Sequence, residues 1–350
     1  MRIFNIAIRA DGSTQTGMGH LMRCLSIALA LKEKNASVLF ITNNSQSETF
    51  LVEKGFPCVL LSGEYRSMEE EVEDTIKLIK KYCIPVLLVD SYEADESYLE
   101  QLSAAVSVFY MDDLGRMELP VKGIINYNIY GQNMGYQEKY TSETRLILGS
   151  KYAPVKAAFK NTPYTIREKV SNILITMGGS DALNIAGQLG ALLLEHLPAE
   201  VTLTLVCGRF SPHLESVRLL AETEVGKGRV EVLTDVSDMW NVMQKCDLAI
   251  AAAGSTMYEL CTMGVPTICC YYVDNQRRMA ECFDDKTSMR NAGDFSKEPE
   301  AVLQIILSHT LALMQEETLR KELSLEMQNV TDGMGACRIA DALQEFMALK

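Results

Sequence analysis

The sequence predicts an α/β protein built from two doubly wound, parallel-sheet domains facing across a cleft. Three observations carry this. Short runs of β-branched and apolar residues alternate with longer helix-like stretches, the pattern of a sheet covered on both faces. The alternation breaks once, around 150–171, and then restarts. A chain of 350 residues is long enough for two domains of ordinary size.

In the first half the predicted strands are "IFNIAI" (3–8), "SVLFIT" (37–42), "CVLLS" (58–62), "VLLVD" (86–90), "VSVFYM" (106–111), "GIINYN" (123–128) and "RLILG" (145–149). Helices are expected between most of them, at 20–34, 45–54, 67–82 and 95–104. The stretch "SKYAPVKAAFKNTPYTIREKVS" (150–171) is rich in lysine, proline and tyrosine and reads as a linker. The second half gives strands at "NILITMGG" (172–179), "VTLTLVCG" (201–208), "VEVLTDV" (230–236), "LAIAAAG" (248–254) and "TICCYY" (267–272), each followed by a helix. Two or three helices close the chain, with "TDGMG" (331–335) as a break before the last. The expected domains are 1–160 and 168–350, and the last helix is a candidate to pack back on the first.

Composition narrows the partners. The net charge of −13 offers no basic surface for a phosphate backbone, so nucleic acid is not expected. No apolar run approaches the roughly 18 residues of a membrane span, and the opening "MRIFNIAIRAD" is not a signal peptide. The ten cysteines show no C-x-x-C spacing, which favours reduced thiols and a cytoplasmic protein. A monomer acting on a small molecule is expected, without cofactor or metal.

Three loops stand at strand ends, where doubly wound sheets bind ligands. They are "RADGSTQTGMGH" (9–20), "MGGSD" (177–181) and "AAAGSTMYEL" (251–260). Each is expected to run into a helix, offering unpaired N–H groups and the positive end of a helix dipole to an anion. Gly178, Gly179, Gly254, Ser255 and Thr256 are therefore candidate diphosphate contacts, Ser180 likewise, with Glu259 placed for a ribose diol. The first loop is not a dinucleotide fingerprint, because the third glycine is replaced by Met22. His20, at the exit of Gly17 and Gly19, either caps a helix or performs acid–base chemistry. Arg9 and Asp11 are placed to orient that loop or to contact sugar hydroxyls. Asp90 closes a strand and is open to the same two readings. Asp112 and Asp113 form a strand-end pair that faces the sugar or caps a helix.

Taken together, the pattern R-x-D-x₅-G-M-G-H-x-x-R-C at 9–24, with "DSY" (90–92), "MDD" (111–113), "GSKYAPV" (149–155), "MGGSD", "AAGSTMYEL" (252–260), "NQ" (275–276) and "DGMGACR" (332–338), resembles one family. It is that of the UDP-sugar hydrolases of bacterial pseudaminic acid biosynthesis. These enzymes have the GT-B fold of the glycosyltransferase that forms peptidoglycan lipid II, and remove UDP from UDP-2,4-diacetamido-2,4,6-trideoxy-β-L-altropyranose. The resemblance covers nearly the whole chain. It implies that His20 activates water, that Tyr92 and Asn275 line the sugar and the catalytic water, and that Asp11, Gly17 and Gly19 shape the sugar pocket. It likewise implies that Gly179, Ser180, Ser255 and Glu259 meet UDP. One departure is plain: Val155 and Lys156 stand where the family has a leucine-arginine pair.

The implied reaction is inverting displacement at an anomeric carbon, with water as acceptor and no metal. UDP is already a good leaving group, so a base and fixed backbone dipoles suffice, and an imidazole titrates near neutrality. Two other readings stay open: a GT-B glycosyltransferase with a UDP-sugar donor, and a non-catalytic nucleotide-sugar-binding subunit.

Overall fold

The structure, a computed structural model, describes residues 3–12, 18–61, 67–115, 118–160, 164–208 and 211–348. The chain forms two compact units, Met1–Ala157 with Met334–Lys350, and Ala158–Gly333.

The first unit holds strands β1 (Ile6–Ala10), β2 (Val38–Thr42), β3 (Cys58–Leu60), β4 (Val86–Asp90), β5 (Ser107–Met111), β6 (Gly123–Asn126) and β7 (Arg145–Leu148). Its helices are α1 (Gly19–Glu33), α2 (Ser45–Glu53), α3 (Met68–Tyr82), α4 (Glu96–Ser103) and the single turn α5 (Tyr136–Lys139). The strands are parallel throughout and lie in the order β3-β2-β1-β4-β5-β6-β7. Every residue of β1, β2, β4 and β5 is buried, which is why these strands read as continuous apolar runs and not as alternating ones. One face carries Ala7, Leu39, Ile41, Leu87, Val89 and Val108 against Val72 and Ile79 of α3 and Leu99 of α4. α3 starts in a capping box between Ser67 and Glu70.

The second unit holds β8 (Asn172–Thr176), β9 (Thr202–Cys207), β10 (Val230–Thr234), β11 (Leu248–Ala252), β12 (Thr267–Tyr271) and β13 (Arg290–Asp294). Its helices are α6 (Ile185–His196), α7 (Leu214–Leu220), α8 (Met239–Lys245), α9 (Thr256–Met263), α10 (Asp274–Lys286), α11 (Pro299–Gln315) and α12 (Glu317–Gln328). The parallel order is β10-β9-β8-β11-β12-β13. β13 was not among the expected strands. Its sequence, RNAGD, has no apolar run because it pairs only with β12, at the sheet edge.

The last helix, α13 (Gly335–Ala348), belongs to the first unit. Phe346 meets Phe109 of β5 edge-on at 5.1 Å. Asp341 pairs with Lys34 at 2.6 Å, and Arg145 pairs with Glu345. At the start of α13, a Cβ on Gly335 would lie 2.1 Å from the Ala153 carbonyl oxygen. All ten cysteines are free thiols, and no described helix is long and apolar enough to cross a membrane.

Candidate functional site

Strand order decides where each unit offers a site. In the first sheet the chain winds from β1 outward to β3, then returns to start β4 on β1's other side. Between the carboxyl ends of β1 and β4 the connections therefore part in opposite directions and leave a crevice. The second sheet has the same switch between β8 and β11.

His20 and Asp90 meet at the first switch point. Asp90 is the last residue of β4 and His20 lies in the first turn of α1, which follows β1. His20 Nδ1 is 2.6 Å from Asp90 Oδ1. Three residues on, one helical turn, Arg23 faces the same way and grips Asp90 with both ends of its fork, Nε to Oδ2 at 2.6 Å and Nη2 to Oδ1 at 2.5 Å. Arg23 Nη1 continues to Asp113 Oδ2 at 2.7 Å and to the Tyr127 hydroxyl at 2.9 Å. Tyr92 donates its hydroxyl to the same Asp113 oxygen at 2.9 Å, while its ring stands edge-on to His20, centroids 4.4 Å apart. Asn128 holds the other Asp113 oxygen at 3.0 Å.

Burial and charge set the protonation of this cluster. The Asp90 carboxyl is fully buried, which by itself would raise its pKa; Arg23 and His20 outweigh that and hold it well below the usual carboxylate range. Partial burial and the neighbouring Asp113 push the half-exposed Tyr92 phenol upward, keeping it protonated. The His20 side chain is 18% exposed, so with Nδ1 engaged by Asp90 the ring has a face left for a ligand.

Two expected sugar contacts have other employment. Arg9 is completely buried. Its Nε and Nη2 bind Glu71 at 2.6 and 2.7 Å, and its Nη1 binds Asp11. It positions Asp11 and cannot itself reach a ligand. Asp112 is buried too. It accepts from the Leu114 and Gly115 amides at 3.0 and 2.8 Å and from the Tyr136 hydroxyl at 2.9 Å, closing a turn after β5. Asp113, its neighbour, is the one that joins the His20 cluster.

Asp11 is an anchor of the first loop. Its carboxylate takes the Thr42 hydroxyl at 2.5 Å, the Asn43 amide at 2.9 Å and Asn44 Nδ2 at 3.2 Å. Gly12 exchanges two hydrogen bonds with the Ser47 hydroxyl. These tie the loop's entry to the end of β2 and the start of α2. Gly19 opens α1, with no side chain capping the helix. Gly17 lies outside the described residues.

In the second unit the loop after β8 does not run straight into a helix. Gly178 turns at φ +81, Gly178, Gly179 and Ser180 are exposed, and α6 starts only at Ile185. Asp181 accepts from the Ile185 and Ala186 amides at 2.8 and 3.0 Å. Two first-turn donors of α6 are therefore occupied from within, by a carboxylate. Burial nonetheless pushes the Asp181 carboxyl upward against those two amides.

The loop after β11 differs. No side chain caps α9 at Ser255. The Gly254 amide is taken by the Ala252 carbonyl at 2.7 Å, and the Met257 and Tyr258 amides by the Gly254 and Ser255 carbonyls. This leaves the Ser255 and Thr256 amides as the donors to consider at this switch point. Glu259, also in the first turn of α9, is half-buried. The loop after β12 lies alongside: Tyr272 donates its hydroxyl to the Met177 carbonyl at 2.8 Å and its amide to Gln276 at 3.2 Å. Asn275, exposed in the first turn of α10, stands at this edge.

Sequence reasoning gives Asp90 no defined role and sees Arg23 one helical turn beyond His20 without assigning it one. The signal was present: a carboxylate ending an apolar strand, and His and Arg three apart at a helix start. Gly208, at the end of β9, was also passed over.

No protein-family profile matches the chain. It is 27% identical over 349 residues, 98% of each chain, to the spore coat polysaccharide biosynthesis protein SpsG of Bacillus subtilis. It is 24% identical over 279 residues, 79% of this chain and 94% of the other, to the UDP-2,4-diacetamido-2,4,6-trideoxy-β-L-altropyranose hydrolase of Campylobacter jejuni. Among solved structures, MurG of Acinetobacter baumannii superposes with a TM-score of 0.68 at 15% identity, covering 97% of this chain and 99% of MurG. The structure of Staphylococcus aureus MnaA with UDP gives 0.65 at 14%, covering 99% and 98%. The two parallel-sheet units, of seven and six strands, have the GT-B fold class of these structures.

Proposed function

We propose that the chain is an inverting UDP-sugar hydrolase, cleaving UDP-2,4-diacetamido-2,4,6-trideoxy-β-L-altropyranose to UDP and free sugar in nonulosonic acid biosynthesis. The observation that carries this reading is a histidine tied to a buried carboxylate at the switch point of the first sheet. The likeness to the Campylobacter hydrolase supports the substrate.

His20 takes a proton from water as the water oxygen bonds to the anomeric carbon. The bond from that carbon to the diphosphate oxygen breaks, and its electron pair leaves with UDP. Tyr92 and Asn275 line the sugar and the water. Asp11, Gly17 and Gly19 shape the pocket, with Arg9 acting through Asp11. The start of α9, through Ser255 and Thr256 with Gly254 giving close backbone approach, receives negative charge building on the diphosphate. Gly178, Gly179 and Ser180 contribute through loop backbone and hydroxyl, and Glu259 accepts from the ribose.

A second reading is a glycosyltransferase in which an acceptor hydroxyl takes the place of water; the full-length likeness to SpsG, a spore coat polysaccharide biosynthesis protein, supports a role in making polysaccharide. Incubating the protein with the UDP-sugar in oxygen-18 water separates the two. Hydrolysis predicts UDP release without acceptor and label in the sugar. UDP release only on adding an acceptor supports the transferase, label in UDP would mean attack at phosphorus, and binding without turnover would leave a silent binding subunit.

A further inference from the structure

Around His20 two carboxylates face one guanidinium. Asp90 receives the Nδ1 side of the ring, Arg23 bridges Asp90 to Asp113, and Tyr92 and Tyr127 complete the contacts with neutral hydroxyls. Asp90 is fully buried and the Arg23 side chain is 9% exposed, so water contributes little to holding either. The cluster carries one net negative charge with a neutral ring, and that charge is balanced when the ring accepts a proton.

We propose that Asp90, clamped by Arg23, is a positioning residue that selects the Nδ1–H tautomer of His20 and so leaves the Nε2 lone pair as the base. The tautomer of an imidazole is set by the hydrogen bond its other nitrogen makes. Arg23 Nη2 also approaches Nδ1, at 3.1 Å, but a bare Nδ1 would set its lone pair against the ionised carboxylate at 2.6 Å, and this shorter contact makes Nδ1 the donor. Arg23 does a second job. Its bidentate grip fixes the plane of the carboxylate, so the ring cannot swing away without breaking a buried ion pair. A carboxylate alone would orient the ring; the Arg23 fork makes that orientation rigid. The edge-on Tyr92 ring, itself held through Asp113, closes the other side. The catalytic part of this inference rests on His20 being the base; the tautomer assignment does not.

The test reads the tautomer directly. The chain has only four histidines, so an imidazole nitrogen-15 spectrum of the full-length protein is simple, and His20→Asn identifies the His20 signals by difference. The expected wild-type result is the Nδ1–H form. In Asp90→Asn a single amide oxygen must serve both the Arg23 fork and the ring, so the Nε2–H form gains population and UDP release falls about 10²–10⁴-fold. A wild-type His20 in the Nε2–H form overturns the proposal, as does an Asp90→Asn protein with an unchanged tautomer. If the tautomer switches while UDP release is unaltered, the positioning stands and it is His20's role as base that fails. The wild-type spectrum decides even if Asp90→Asn does not fold.

Discussion

A Cβ placed on Gly208 would sit 1.8 Å from the carbonyl oxygen of Gly179. The end of β9 thus presses on the backbone of the glycine loop after β8, and only a residue without a side chain fits between them. Gly208→Ala must push the loop aside. The expected cost is about 1–3 kcal/mol, as for other overpacked sites, read as a lower urea midpoint together with weaker UDP binding in calorimetry. Unchanged stability and UDP affinity would show that the loop moves freely.

Glu71 has a comparable role in the first unit. It is fully buried on α3, binds both ends of the Arg9 fork and accepts from Tyr98. Glu71→Ala leaves a guanidinium buried with only Asp11 to answer it. Breaking one side of a buried pair costs roughly 3–5 kcal/mol, so urea unfolding should shift by that amount. A loss under about 1 kcal/mol would mean that water reaches Arg9 readily.

Much of this architecture was legible in the sequence, for physical reasons that also explain the gaps. VLLVD at 86–90 was read to the residue because a central parallel strand is buried on both faces and must be apolar throughout. RNAGD at 290–294 was missed because an edge strand is held mainly by backbone pairing, which leaves no mark in side-chain type. The site divides similarly. A glycine loop and its histidine are local and visible. That Arg9 is turned inward to Glu71, that Asp112 closes a turn while Asp113 serves His20, and that Asp181 caps α6 all depend on partners brought together by folding.

The depressed Asp90 carboxyl makes a statement about acid stability. A native pKa below the unfolded value of about 3.9 stabilises the fold above that value, and the contribution is lost as pH falls toward the native pKa. Asp90→Asn has no such titration. The stability gap between wild type and Asp90→Asn should therefore narrow progressively as pH falls below about pH 4. Urea midpoints across that range check it. A gap that stays constant into strong acid would show that Arg23 does not hold the carboxylate ionised.

Asn275 separates function from stability. It is exposed in the first turn of α10, so Asn275→Ala should change unfolding free energy by no more than about 0.5 kcal/mol. Under the proposed function its loss should lower UDP release by about 10-fold or more. Full activity in a stable Asn275→Ala protein would remove it from the site.

The central claim is that the imidazole of His20 activates water, and one variant tests it most directly. His20→Asn should bind UDP with wild-type affinity in calorimetry, while UDP release from the diacetamido sugar nucleotide falls by about 10²–10⁴-fold. UDP release near the wild-type rate from that variant would contradict the account.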